Sequence, residues 1–196
     1  MARPIRPSAD QTRTNILQAA KILFLHYGFH GVSVKQIAEA AHVNTNLIFH
    51  HFNNKETLWV KVKELILDEK NEKPNFNLTS AQAYFKSLID YRFDLFEQKP
   101  DLVRLLQWQQ LTENEAALVG NDLSSPQHWI LPLKKFRASN EIKADINVRH
   151  IMLFIIFSTH APFMQQIIPF TKKQKLAYKN MLLDMCCQQF LNKKHK

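Results

Sequence analysis

From residue 12 the apolar positions recur with the period of an amphipathic helix. In TRTNILQAAKILFLHYGF, Ile16, Ala19, Ala20, Leu23, Phe24 and Tyr27 follow the i, i+3, i+4 rhythm, and Gly28 supplies a C-terminal stop. Ser33 then opens SVKQ, a capping box whose hydroxyl can take the amide of Gln36. Val34, Ile37, Ala38 and Ala41 form the buried face of the short helix that follows. His42 and Val43 make a tight corner, and Asn44 is a good N-cap for a third short helix through NTNLIFHH, which offers Leu47 and Ile48 to a core. Two short helices separated by a few residues describe a helix-turn-helix.

Further along, Asn53 stands three residues before Glu56 and is expected to cap a longer fourth helix carrying Leu58, Trp59, Val62, Leu65 and Ile66, closed by Pro74. TSAQ at residues 79–82 reads as another capping box, followed by Phe85, Leu88, Ile89, Leu95 and Phe96 on one face up to Pro100. PDLVRLLQWQQL makes a sixth helix, and TENEAALVGNDLSS is a polar connection. Pro126 starts a seventh helix that Pro132 is expected to kink or interrupt. Asp145 and Thr171 are expected to begin the last two long helices, the first carrying IMLFIIF and the second Leu176, Leu183, Cys187 and Phe190. The pattern predicts an all-α chain: an N-terminal three-helix helix-turn-helix domain over residues 1–55 with its motif at about 33–52, a connecting fourth helix over 56–73, and a larger helical domain over 74–196.

Composition agrees with helices: only three glycines occur in 196 residues. Charge adds a direction. Of the formal net +9, residues 1–63 hold 8 Lys and Arg against 3 acids, and residues 172–196 hold 7 against 1, so the middle is slightly acidic. A basic N-terminal third suggests a module that faces a polyanion. A solvated lysine surface is the plainer reading, and it is preferred for KKQK and the terminal NKKHK. Cys186 and Cys187 are adjacent in a helical stretch, which disfavours an ordinary intrachain disulfide. MARPIRPSADQ has no apolar signal core, and IMLFIIF falls far short of the roughly 20 residues that span a bilayer, so the chain is expected to be soluble, cytoplasmic and without membrane partners.

The adjacent histidines His50 and His51, between Phe49 and Phe52, raise the question of a metal or catalytic site. A chelating pair on a helix normally stands at i and i+4, and successive residues point about 100° apart, so packing or surface roles fit better. The chain contains no GxSxG, CxxC, HExxH or glycine-rich phosphate loop. No enzyme activity, cofactor or metal is expected.

TRTNILQAA, LFLHYGF, VSVKQIAEAAHV and IFHHFNNKETL follow one another in the order and register of the DNA-binding region of the TetR family of bacterial transcriptional regulators, which this chain resembles over residues 12–58, about a quarter of its length. Three positions depart from the family pattern. His42 stands where a glycine is usual, so the turn must avoid φ > 0 or accommodate a histidine there. Val32 replaces a common threonine, and Phe49 replaces the usual tyrosine, leaving stacking or thymine-methyl contact in place of a phenol hydrogen bond. His51 matches the family histidine at the packing and phosphate-facing end of the recognition helix, with His50 about 100° around from it.

The resemblance implies a regulator that binds double-stranded DNA. In a helix-turn-helix the second helix enters the major groove with its N-terminal residues toward base edges. That assigns base reading to Thr45 and Asn46, with Phe49 and His50 beside them, and backbone phosphates to Lys35, Gln36 and Lys55, although Lys35 can equally be a plain exposed lysine. It also implies a homodimer pairing through the last two helices on a near-palindromic operator, although those apolar residues can equally be core. The helical body is implied to hold a small apolar or amphipathic effector that releases a repressor. Phe96, Arg104, Trp108, His128, Trp129, Phe154, Phe157 and His160 are its candidate contacts, and core packing is the alternative for each aromatic. Two other readings stay open: constitutive DNA binding, and a thiol redox response through Cys186 and Cys187.

Overall fold

The computed structural model describes residues 8–68, 74–112, 126–164 and 169–193. Among these residues the regular elements are helices: α1 Ala9–Tyr27, α2 Val34–Ala40, α3 Thr45–Phe52, α4 Lys55–Asp68, α5 Ala81–Gln98, α6 Pro100–Gln110, α7 Pro126–Ala138, α8 Val148–His160 with a 3-10 turn at Ala161–Phe163, and α9 Lys172–Phe190. A lone bridge between Ile142 and Leu191 is the β pairing found there. None of the described helices is long and apolar enough to cross a membrane. The expected connection TENEAALVGNDLSS lies, except for Thr112, outside the described residues.

The chain divides into two compact units, residues 1–71 with 104–122 and residues 72–103 with 123–196. In the first unit, Ile16, Ala20 and Phe24 of α1 meet Ile37 of α2, Ile48 of α3, and Leu58 and Trp59 of α4, all fully enclosed. The Trp59 ring takes Phe24 at 5.0 Å and Phe29 at 5.6 Å, both edge-on, the arrangement that the ring quadrupoles favour. The caps follow the sequence closely. Ser33 and Gln36 form the full capping box of α2, and Asn44 accepts the Leu47 amide at 3.0 Å to start α3. His42 adopts φ 55°, so the corner between α2 and α3 keeps its left-handed turn without the glycine.

Several boundaries differ from the expected ones. Asn54 caps α4, accepting the Thr57 amide at 2.7 Å, while Asn53 ends α3 at φ 61°. Ser80 caps α5 at the Ala83 amide, and Thr79 instead bonds back to Asn77. Asn147 caps α8, two residues beyond Asp145. Pro132 is carried inside a continuous α7. Thr171 begins α9 as expected, and with Gln174 it closes a capping box there. The second unit packs α5 against α8 and α9, with α7 alongside α8. The buried face of α5 runs Tyr84, Phe85, Leu88, Ile89, Arg92, Phe93, Leu95, Phe96, a charged residue inside an apolar stripe.

Candidate nucleic-acid interface

The second helix of the motif owes its orientation to two anchors. Ile48 and Phe52 are buried on the inner side of α3, and Arg13 of α1 lies over the Phe52 ring at 5.4 Å. Residues four apart share a helix face. Thr45 and Phe49 therefore form one row and Asn46 and His50 a second, turned away from the core; Asn46, Phe49 and His50 are exposed and Thr45 is half-buried. Phe49 is 47% exposed, which leaves its ring free to meet a partner. His51 is half-buried with its ring 5.3 Å from that of His50. Among the described residues, no three His, Cys, Asp or Glu side chains converge as metal ligands.

Lys35 and Gln36 are exposed on the first turn of α2, where free backbone amides and the helix dipole favour an anion. The Gln36 side-chain oxygen is committed to the cap, accepting the Ser33 amide at 2.7 Å, which leaves its NH2 as the outward donor. Lys55 is turned inward instead: its ammonium donates to the Val32 carbonyl at 2.8 Å and lies 4.2 Å over the Phe29 ring. Burial lowers its pKa, with Glu56 pulling the other way. It braces the segment between α1 and α2.

The residues expected around an effector are divided between the two units. Phe96, Trp129 and His160 come together in the second unit. Phe154 packs on Phe190 at 5.6 Å, and Phe157 points outward, 56% exposed. The side chain of His128 lies outside the described residues. Arg104 is exposed and belongs with the first unit, as does Trp108, whose indole N–H donates to the Leu25 carbonyl at 3.2 Å and whose ring covers Gly28. Sequence reasoning missed Arg92, although its place in the apolar stripe of α5 was a signal. Cys186 is buried and its thiol is pushed up to about 12 by that burial; Cys187 is raised as well, first by burial and then by Asp184. Protonated thiols are poor redox sensors.

Comparison with known proteins agrees with this architecture. Residues 16–62 match the family model described as bacterial regulatory proteins, tetR family. The chain is 32% identical over 158 residues to the HTH-type transcriptional repressor NicS of Pseudomonas putida, covering 75% of this chain and 73% of that one. It is 28% identical over 163 residues to the HTH-type transcriptional regulator RutR of Escherichia coli, covering 78% and 74%. A putative tetR family transcription regulator from Shewanella sp. PV-4 superimposes with a TM-score of 0.67 at 16% identity, covering 93% of this chain and 99% of that one, a likeness of fold alone.

Proposed function

The chain belongs to the TetR family of bacterial regulatory proteins, a DNA-binding transcriptional regulator and not an enzyme, and from that premise we propose that it is a repressor that binds a near-palindromic operator as a homodimer and is released by a small molecule. The observation that carries the reading is the outward double row of α3, Thr45 with Phe49 and Asn46 with His50, opposite the buried Ile48 and Phe52. Asn46 suits adenine, whose N6 and N7 it can engage together, and Phe49 suits a thymine methyl. Lys35, the Gln36 amide and the first-turn N–H groups of α2 hold phosphate. Lys55 acts by positioning the motif.

The test begins with the genome of the source organism: fragments retained by the purified protein should share a two-fold related sequence when sequenced. On that operator, Asn46→Ala is expected to lose about 1–3 kcal/mol of discrimination at one base pair per half-site, while Lys35→Ala weakens specific and random DNA alike. Equal losses on both DNAs for both variants would overturn the assignment of α3 as the reading element.

Pairing through α8 and α9 is supported by large apolar side chains left outward: Leu153 and Phe157 on α8, and Leu176, Met181 and Met185 on α9. In α9 only Leu182 and Cys186 are buried among its 19 residues, too few to hold so long a helix without a partner surface. Phe157→Glu is expected to convert the dimer to monomer at micromolar concentration in native mass spectrometry, with helicity unchanged. A variant that stays dimeric would move the interface elsewhere. An effector acts by binding one arrangement of the dimer more tightly than the other, and it shifts operator occupancy only by that difference.

A further inference from the structure

The second unit buries a guanidinium that pairs with no carboxylate among the described residues. Arg92 is 4% exposed, and its Nε donates to the Thr159 hydroxyl while Nη2 donates to the Ile156 carbonyl at 3.1 Å. Among the described residues these are its hydrogen-bond partners, and both are neutral. Its Cζ lies 4.9 Å from the ring centroids of both Phe96 and Trp129. Aromatic faces and the carbonyl end of α8 ease a buried cation but do not discharge it. A guanidinium has five N–H donors, so these two bonds use two of the five and leave at least one on each Nη to meet a further acceptor.

Two further polar groups stand unsatisfied at the same place. Trp129 is 1% exposed and His160 3%, and neither Trp129 Nε1 nor His160 Nε2 has a hydrogen-bond partner among the described residues. The His160 ring lies 5.2 Å from Phe96 and hydrogen-bonds to the Val103 backbone. Its pKa is pushed down to about 4, by burial first and then by the charge of Arg92. The imidazole is therefore neutral near pH 7 and leaves Arg92 as the local cation. The Trp129 carbonyl accepts the buried Tyr84 hydroxyl at 2.8 Å, which holds the indole in position. Trp59 also has an indole N–H without a partner among the described residues, in the first unit, but there the ring is wrapped by Phe24 and Phe29. At Trp129 the orphaned donor sits beside an uncompensated charge. Buried groups left in this condition each cost stability, so their clustering indicates a site completed by something bound.

We propose that Arg92 and the Trp129 indole N–H form the anion-recognising end of the effector site, with His160 as its neutral wall, and that the effector is a small organic carboxylate. The planar fork of the guanidinium matches a carboxylate in two parallel hydrogen bonds, and the apolar surround of Phe96 and Trp129 selects an acid with a hydrocarbon or aromatic body over a bare ion. This rests on the reading of the chain as a ligand-released regulator, and it narrows the ligand to one chemical class.

The test is a thermal-shift and calorimetric titration of the full-length protein with benzoate and hexanoate, each against its uncharged amide, and with a hydrophobic cation. The acids should raise the melting temperature saturably and bind at least about tenfold more tightly than their amides, because a charge-assisted bidentate pair is lost in the amide. Arg92→Met should abolish that preference while leaving the unliganded melting temperature equal or higher, since an apolar residue replaces an unpaired buried charge. A merely structural arginine would instead lower it. Trp129→Phe keeps the ring and removes only the N–H, so it reads the same site if Arg92→Met fails to fold, with acid binding expected to weaken several-fold. Amides or the cation binding as well as the acids would overturn the carboxylate assignment and leave the ligand-responsive reading intact. Unchanged acid binding in Arg92→Met, or in Trp129→Phe should Arg92→Met not fold, would overturn it too. If no compound of any charge shifts the melting temperature, both readings fall and constitutive DNA binding takes their place.

Discussion

Gly28→Ala is expected to destabilise the first unit by about 3 kcal/mol or more, from two separate causes. Gly28 ends α1 at φ 71° and ψ −176°, a conformation that side-chain-bearing residues essentially do not adopt. A Cβ built there would also stand 2.6 Å from Cε3 and 2.7 Å from Cδ2 of Trp108, whose indole is held by the Leu25 carbonyl. The two penalties share one side chain and should not simply add. Equilibrium urea denaturation followed by tryptophan fluorescence measures the total. In a Trp108→Leu background the steric part should fall away and leave the backbone part, about 1–3 kcal/mol. If Gly28→Ala lies within about 0.5 kcal/mol of the parent, the indole does not close over the end of α1 as described.

Operator affinity is expected to fall by about three to five orders of magnitude between 50 and 200 mM salt, the loss for a complex neutralising about 6–10 phosphates. Each protomer brings 8 Lys and Arg against 3 acids within residues 1–63, and Lys35 is exposed where α2 begins. Two protomers on one duplex double whatever each contributes. The slope of log affinity against log salt counts the contacts, and Lys35→Ala should reduce it by about one per protomer bound. Lys55→Ala should leave the slope nearly unchanged, because its ammonium is spent on the Val32 carbonyl and the Phe29 ring. A flat salt profile would mean that phosphate contact is not what holds this protein on DNA. A slope lowered equally by both lysines would return Lys55 to the phosphate set.

What the sequence determined by itself is everything whose partners lie within one helical turn. The Ser33–Gln36 box, the Asn44 cap, the Gly28 stop and the Thr171–Gln174 box are hydrogen bonds closed over three or four residues, so spacing alone encodes them. The period of Ile16, Ala20 and Phe24 likewise gave the inward face of α1, and with these elements came the helix-turn-helix and its family. The same reasoning slipped where neighbours compete for one cap: Asn53 and Asn54 are equally able, and the reversal at φ 61° assigned the cap to the second. Tertiary structure decided the partners that come from afar. Lys55 finds a carbonyl 23 residues back, Arg92 a hydroxyl 67 residues on, and Trp108 a carbonyl 83 residues back. Each of these side chains is long and polar, equally able by sequence to face water or a ligand. Its direction is chosen by which helices pack around it, and that depends on apolar surface summed over the whole unit, which no local spacing records.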